Sequence, residues 1–201
     1  KVRAEYSFDE INVDDKSIFE RILNADSVAN VIRSNGDIDT GRNISDTLTE
    51  SEFRNSYVAH ATIEPHAATA LIEEDKITVW VSTQTPYRAQ ETVAREMNVP
   101  LEKVRIITPF VGGGFGGKSA HAQAVEAVKL AKIAGKPVVV AWTREEEFFF
   151  DTFRPAAVVK IKAGVDKSGA ITLWNFNTYY AGARGSDTIY DVPNAKTTDY
   201  G

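Results

Sequence analysis

Residues 104–118 read V-R-I-I-T-P-F-V-G-G-G-F-G-G-K, an apolar run followed by five glycines within six positions. Glycine adopts positive φ readily and lets another group press against its amides. An alanine-rich stretch after the loop predicts a helix from about Ser119 to Ala134, whose free N–H groups and positive end favour an anion or a polarised oxygen. Phe115 is the one bulky side chain between the glycines. The stretch therefore predicts a strand, a ligand-binding loop and a helix.

Composition excludes several classes of function. The chain has 201 residues, enough for one domain or two small ones, and its net charge of −5 argues against a nucleic-acid partner. It contains no cysteine, which excludes disulfides and cysteine-bound iron–sulfur clusters, and three histidines leave little for a zinc site. No apolar run reaches the roughly 20 residues of a membrane span. Because the chain begins at Lys1 without methionine, we expect a fragment of a longer protein.

Hydrophobic periodicity and turn residues predict the element order β-β-β-α-β-α-β-β-β after an N-terminal segment. Pro86 at a first helical position and the apolar stripe behind it predict a helix over residues 86–97. Two long strands, about 156–165 and 170–181, are joined by the hairpin turn 166–169. This order predicts an α+β fold of the two-layer type, with mixed sheets and helices on one side.

The remaining segments give less regular patterns. Residues 1–51 are interpreted as an N-terminal helical and connector segment, and 52–201 as the main domain. Within these ranges we expect an entry strand at 2–8, short helices at 18–23 and 28–32, an extended connector at 37–51, a strand at 138–142 buried on both faces, a solvated turn at 145–147, and three phenylalanines at 148–150 facing a core or an interface.

The sequence of the loop matches two nucleotide-binding motifs. Residues 112–119 match G-x-x-x-x-G-K-S, with Lys118 for the phosphates and Ser119 for magnesium, and residues 112–117 match the dinucleotide pattern G-x-G-x-x-G. Both patterns expect a parallel βαβ array, and a P-loop protein also expects a carboxylate where this chain has Thr143 and Arg144. A third alternative is a non-catalytic interaction domain in which the loop is only a tight turn and Phe115 fills a core.

Four ordered segments resemble the molybdenum hydroxylases, the family of xanthine dehydrogenase and aldehyde oxidase. The loop 112–118 resembles their molybdenum-cofactor loop, and residues 82–84 resemble their S-T-Q segment. Residues 60–65, H-A-T-I-E-P, resemble the H-x-P-M-E-P element of the isoquinoline 1-oxidoreductase branch, and residues 190–194 resemble Y-x-[IV]-P-N. The four segments occur in the family's order, so the resemblance implies a molybdopterin-binding-domain type of fold.

The resemblance also implies roles for individual residues. Phe115 would lie beside the metal and the substrate, and the Gly116 amide would donate a hydrogen bond to an oxygen ligand of the molybdenum. Gly114 and Gln84 complete the expected cofactor-binding set. The alternative for Gln84 is that it only supports the loop by hydrogen bonds from a strand end. No residue of this chain is expected to ligate the metal directly. Ser119 stands where xanthine-oxidising relatives carry a glutamate, which argues against purines as substrates.

The function implied is the hydroxylation of an N-heteroaromatic or an aldehyde by water, in the cofactor-binding large subunit of an oxidoreductase. The cofactor would be molybdopterin, as such or as its cytosine dinucleotide, and electrons would pass to 2Fe-2S centres on a partner subunit or domain. The partners implied are the rest of the large subunit, a small iron–sulfur subunit and a small-molecule substrate. The family's catalytic glutamate belongs to a G-x-G-E segment that does not occur here. We therefore expect no catalytic residue in this fragment, and no activity from the fragment alone.

Two simpler interpretations apply to residues near these motifs. His60 and His66 are six positions apart, which suits neither a strand face nor a helix face for joint metal binding, so ordinary hydrogen bonds are expected. Glu64 beside Pro65 is interpreted as an acceptor for backbone donors.

Overall fold

The computed structural model describes residues 13–201, and the entry strand predicted at 2–8 lies outside them. The elements in chain order are α1 (Ser17–Leu23), β1 (Ala29–Asn35), α2 (Ile38–Ile44), β2 (Thr47–Asn55), β3 (Val58–Ala59), β4 (Ala67–Glu73), β5 (Lys76–Val81), α3 (Pro86–Met97), β6 (Val104–Ile107), α4 (Ala122–Ala134), β7 (Val138–Ala141), α5 (Arg144–Phe150), β8 (Phe153–Arg154), β9 (Ala157–Val165), β10 (Ile171–Tyr179) and β11 (Ala195–Tyr200).

These elements form two compact units. One unit combines the described residues up to Tyr57 with Pro155–Gly201, and the other is the continuous segment Val58–Arg154. A division predicted after residue 51 falls inside β2, which pairs along its whole length with β9.

The first unit contains a five-stranded sheet in the order β1-β11-β10-β9-β2. The β10–β11 pair is parallel and the other pairs are antiparallel, so the sheet is mixed. Helix α1 packs Phe19 and Ile22 against Val158 of β9. The segment 190–194 has a structural use here, because the Asn194 side chain accepts from the Asp37 amide at 3.0 Å and donates to the Thr172 carbonyl at 3.1 Å.

The second unit contains a four-stranded sheet in the order β6-β5-β4-β7, together with the two-stranded ladder β3–β8. Strands β5 and β6 run parallel, and β4 pairs antiparallel with both β5 and β7. Helices α3 and α4 cover one face, where Ala70, Val79, Val93 and Val128 are fully buried. The predicted α+β class with mixed sheets is confirmed, and the helices of this unit cover one face of its sheet.

Local sequence accounts well for helix α3. Pro86 occupies its first turn, and Asn98 closes it in the left-handed conformation that often ends helices. Helix α5 begins with a capping box in which Thr143 and Glu146 exchange hydrogen bonds with each other's backbone.

Predictions for three segments are wrong, for reasons that differ between them. Residues 29–35 form strand β1 instead of a helix, since they pair with β11. The predicted connector 37–51 contains α2, whose Asp37 cap accepts from the Thr40 amide, and most of β2. Strand β7 is not buried on both faces: Val139 is 70% exposed because the helices lie on the other side of the sheet.

Candidate functional site

The glycine loop has anchored ends and an open middle. Gly117 and Lys118 are buried, whereas Phe115 is 77% exposed and Gly116 is also exposed. Phe115 has φ of +53° and Gly116 has φ of +116°, so the chain turns sharply at the point where it meets solvent. A positive φ is costly for any residue with a Cβ, such as Phe115, and marks a site where the surrounding structure holds the backbone.

Glu64 joins the two ends of the loop. Its Oε2 atom accepts from the Gly112 amide at 2.7 Å and from the Lys118 ammonium at 2.6 Å. Burial alone would raise the pKa of Glu64, but the hydrogen bonds from Lys118 and from the Gly112 amide lower it below its ordinary value. The prediction that Glu64 accepts from backbone donors is confirmed, and its role in pairing a buried lysine is an addition to it.

Lys118 is unsuited to the role expected in a P-loop. Its side chain is 0% exposed and its ammonium is paired with Glu64, so it does not reach out to phosphates. Strand β6 lies at the edge of a mixed sheet, where a nucleotide fold would have a parallel array. These two observations oppose both nucleotide-binding alternatives.

Helix α4 does not begin where the sequence predicted. A short 3-10 turn, Gly117–Ser119, follows the loop, and α4 begins at Ala122 without a side-chain cap from His121. The free N–H groups of the helix therefore belong to residues beyond the loop. The tight 3-10 turn forms because the loop's own carbonyls, at Gly114 and Gly116, accept from the amides of Gly117 and Ser119.

Gln84 holds the middle and the far end of the loop. Its side-chain Oε1 accepts from the Gly116 amide at 2.9 Å, and its backbone N–H donates to the Lys118 carbonyl at 3.0 Å. The Thr83 hydroxyl donates to the same carbonyl at 3.1 Å. A Cβ built on Gly114 would lie 2.4 Å from Gln84 Oε1, so this position admits only glycine without a shift of Gln84. The four residues predicted to bind the cofactor, Gly114, Phe115, Gly116 and Gln84, thus lie together.

A buried cluster of histidines and carboxylates also lies in this unit. His66 Nδ1 is 2.9 Å from Glu147 Oε1, and the His66 amide donates to Glu147 Oε2 at 2.9 Å. His60 Nδ1 is 2.9 Å from Asp151 Oδ2. The expectation of ordinary hydrogen bonds for both histidines is confirmed.

Sequence reasoning missed the two carboxylates of this cluster. Glu147 was assigned to a solvated turn, but its side chain is 1% exposed, and that of Asp151 is 4% exposed. The signal available was the cap at Thr143: a helix beginning there places Glu147 one turn later, on the same face, whereas Glu145 and Glu146 stay exposed. The phenylalanines 148–150 are 48%, 73% and 58% exposed, so within this unit they do not enter a core.

Among residues 13–201, no group of three or more histidine and carboxylate side chains is arranged to hold a metal ion. Within the same residues, no helix combines the length and apolar character needed to cross a bilayer. A cavity of about 610 Å³ lies beside α3 and α4, and its walls include Trp142, Leu130 and Phe150 but none of the loop residues. The loop surface, rather than this cavity, carries the predicted site.

Comparisons with known proteins find relatives among molybdenum-binding subunits. The molybdenum-binding subunit PaoC of an aldehyde oxidoreductase from Escherichia coli is 34% identical over 138 residues, which is 68% of this chain and 19% of that protein. One of the subunits of nicotinate dehydrogenase from Pseudomonas putida is 28% identical over 191 residues, which is 90% of this chain and 16% of that protein.

Solved structures extend the likeness to the fold. Quinoline 2-oxidoreductase from Pseudomonas putida 86 superposes with a TM-score of 0.76 at 19% identity, covering 90% of this chain and 27% of that one. The chain therefore spans less than a third of the relatives that it resembles. Residues 23–199 match the family of the molybdopterin cofactor-binding domain. The predicted resemblance is confirmed: the chain belongs to the molybdopterin cofactor-binding domain family of the molybdenum hydroxylases.

Proposed function

We propose that this chain supplies the glycine-loop part of the cofactor site in a molybdenum-dependent oxidoreductase. The observation that carries the proposal is the exposed segment Phe115–Gly116, held open between two anchored loop ends. A nucleotide site would need an accessible Lys118, and an interaction domain with a plugged loop would need a buried Phe115. The structure has neither feature.

The loop residues fit an oxygen-rich cofactor. The Gly116 amide donates to the side-chain oxygen of Gln84. The position of this oxygen shows where an oxygen acceptor of a ligand would fit against the same N–H. Because Gln84 is exposed, its side chain has room to turn and present its own N–H₂ group to a ligand. Once Gln84 has turned, the Gly116 amide needs no movement of its own to stabilise negative charge.

We assign the loop residues separate parts in holding the cofactor. Gly116 donates its N–H, Gln84 donates from its side-chain amide, and Phe115 lies against the bound group and limits access of water. Gly114 keeps the backbone close to Gln84. When bound, the molybdopterin cofactor supplies the oxidation and reduction chemistry, and these residues bind and orient it.

The whole protein would hydroxylate an N-heteroaromatic or an aldehyde with oxygen from water. The names of the relatives favour these two substrate classes: one is an aldehyde oxidoreductase, and the names of two others contain nicotinate or quinoline. Electrons would leave through 2Fe-2S centres on another subunit or domain, because this chain has no cysteine to bind them. Residues 52–201 would be part of the cofactor domain of the large subunit, and the rest of that subunit and a small iron–sulfur subunit would be its partners. The proposal also places the enzyme in the isoquinoline 1-oxidoreductase branch. Its cofactor would be molybdopterin itself or the cytosine dinucleotide form.

Metal and pterin analysis of the purified complex that contains this chain tests the proposal. We expect molybdenum and a pterin in equal amounts, close to one of each per chain. A Gln84→Ala variant should bind less of both, whereas Gln90→Ala, which alters a glutamine of α3 on the side of β6, should bind as much as the wild type. A complex without molybdenum would contradict the proposal, and nucleotide binding lost on Lys118→Ala would support the P-loop alternative instead.

A further inference from the structure

The ladder β3–β8 brings a histidine and a carboxylate together beneath the loop. His60 directly follows β3, and Asp151 lies two residues before β8, so the pairing of Ala59 with Phe153 sets their side chains next to each other. The His60 Nδ1 atom is 2.9 Å from Asp151 Oδ2. An ionised carboxylate can only accept, so Nδ1 carries the hydrogen, and when the ring is neutral its lone pair lies on Nε2.

The free side of the His60 ring lies along the exposed part of the loop. A Cβ built on Gly116 would be 3.2 Å from His60 Nε2, and one built on Gly117 would be 2.8 Å from His60 Nδ1. The His60 side chain is 12% exposed, against 4% for Asp151. Within the described part of the chain, Nε2 has no hydrogen-bond partner. The imidazole is thus fixed on its Asp151 side and unpartnered on its loop side.

A histidine ring held in this way presents its Nε2 atom as a hydrogen-bond acceptor in a fixed orientation. Positioning a ring through one nitrogen and using the other is a common arrangement when histidine binds or exchanges a proton. Because the His60 side chain is partly exposed, Nε2 remains accessible to a ligand at the surface of the loop.

We propose that His60 is a further binding residue of the site, whose Nε2 accepts a hydrogen bond from an N–H or O–H group of the molybdopterin cofactor beside Gly116. Asp151 is the positioning residue that keeps the hydrogen on Nδ1 and so leaves Nε2 as an acceptor. This inference rests on the proposed function, and it adds a side chain that none of the matched motifs singles out as a ligand.

Two substitutions distinguish the role of Nε2 from that of Nδ1. The amide of glutamine reaches roughly the position of Nε2, whereas the shorter asparagine reaches roughly that of Nδ1. The purified complex is prepared as wild type, His60→Gln, His60→Asn and His60→Ala. The molybdenum and pterin remaining after timed dialysis give the rate of cofactor loss, and thermal unfolding reports whether each variant folds.

We expect His60→Gln to lose cofactor within about threefold of the wild-type rate and His60→Asn to lose it about tenfold faster, because one net hydrogen bond is worth about a factor of ten. The reverse order would show that His60 acts only through Asp151. Equal rates in all four proteins, or loss from Gln and Asn variants as fast as from His60→Ala, would equally overturn the assignment. A wild-type complex without molybdenum or pterin would instead overturn the proposed function itself, and this inference with it.

Asp151→Asn tests the same assignment without changing the histidine. The asparagine N–H₂ group can donate to Nδ1, which moves the ring hydrogen to Nε2 and turns the acceptor into a donor. We expect cofactor loss about tenfold faster than in the wild type, with the molybdenum content of a freshly isolated complex already lowered. Retention equal to that of the wild type in a folded Asp151→Asn complex would contradict the inference.

Discussion

Two glycine-containing turns of this chain are built in different ways. The hairpin turn 166–169 is held by its own residues: Asp166 Oδ1 accepts from the amides of Ser168 at 2.8 Å and Ala170 at 3.1 Å. The loop 112–118 is held by side chains from distant parts of the sequence, Glu64 and Gln84. The hairpin turn would form in many proteins, whereas the loop depends on the unit around it.

The glycines of the two turns differ accordingly. Gly169 needs only its positive φ of +86°, since a Cβ there would meet nothing within 4 Å. At Gly117 there is no room for a side chain, because a Cβ there would lie 2.7 Å from Asp151 Oδ2. A turn that only reverses the chain can form from its own residues. The glycine loop, which we propose lies against a cofactor, instead depends on side chains packed against it.

The largest effect is expected from removing the carboxylate that joins the loop ends. Glu64→Ala leaves the fully buried Lys118 ammonium without a partner, which should cost about 3–5 kcal/mol of unfolding free energy. Urea denaturation of the purified protein measures this loss. Asp166→Ala in the hairpin turn is the matched change and should cost much less. Equal losses would show that the loop is no more dependent on distant contacts than the hairpin.

Alanine at the two glycines gives the next largest difference. Gly117→Ala should destabilise by about 1–3 kcal/mol, because Asp151 and His60 must move out of hydrogen-bonding positions to admit the methyl group. Gly169→Ala should cost about 1 kcal/mol, the strain of a left-handed alanine in open space. Cofactor content separates them further, since only Gly117→Ala should lower it. A Gly169→Ala variant with reduced cofactor would contradict this distinction.

Acid should weaken the loop through Glu64. The pKa of Glu64 is lowered in the folded protein, so its contribution is complete above its ordinary value near 4.5 and is lost as pH falls through the lower folded value. Glu64→Gln should therefore be less stable than the wild type at pH 7, by about 1–2 kcal/mol, and the difference should shrink below about pH 4.5.

Urea midpoints of the two proteins between pH 7 and pH 3 measure this difference. The pKa of Asp166 is lowered as well, chiefly by its hydrogen bonds from Ser168 and Ala170, and this effect is common to both proteins. A deficit of Glu64→Gln that stays constant across the range would show that the charge of Glu64 does not matter.

The comparison of the two turns also explains what the sequence could predict. Helix α3 and the hairpin of β9 and β10 follow from residues close to one another, such as Pro86 and Asn98, and their predictions are confirmed. Strand β1 and helix α2 depend on partners more than 150 positions away, such as Asn194, which Asp37 contacts across 157 positions. Local patterns contain no information about such partners, although the Asp37 cap on the Thr40 amide was a local signal for α2 that the prediction missed.

The candidate site likewise contains residues that the sequence pattern identifies and a contact that only the fold reveals. The glycines, Phe115 and Gln84 could be found because their spacing repeats a family pattern, and the structure brings them together. The pairing of Lys118 with Glu64 could not be found, since a lysine after glycines has the same spelling in a phosphate-binding loop. Only the burial of its ammonium distinguishes the two.

The smallest effect on stability is expected at Phe115, the residue that we propose lies against the cofactor. Phe115→Ala should change the unfolding free energy by no more than about 0.5 kcal/mol, because its ring is 77% exposed and buries little apolar surface. The positive φ remains, and alanine bears it about as well as phenylalanine does. Phe110, which is fully exposed at 103%, provides the matched change. If the ring of Phe115 lies against the bound cofactor, Phe115→Ala should lose cofactor severalfold faster on dialysis, and Phe110→Ala should not. Equal retention in the two variants would mean that the open middle of the loop binds through its backbone alone.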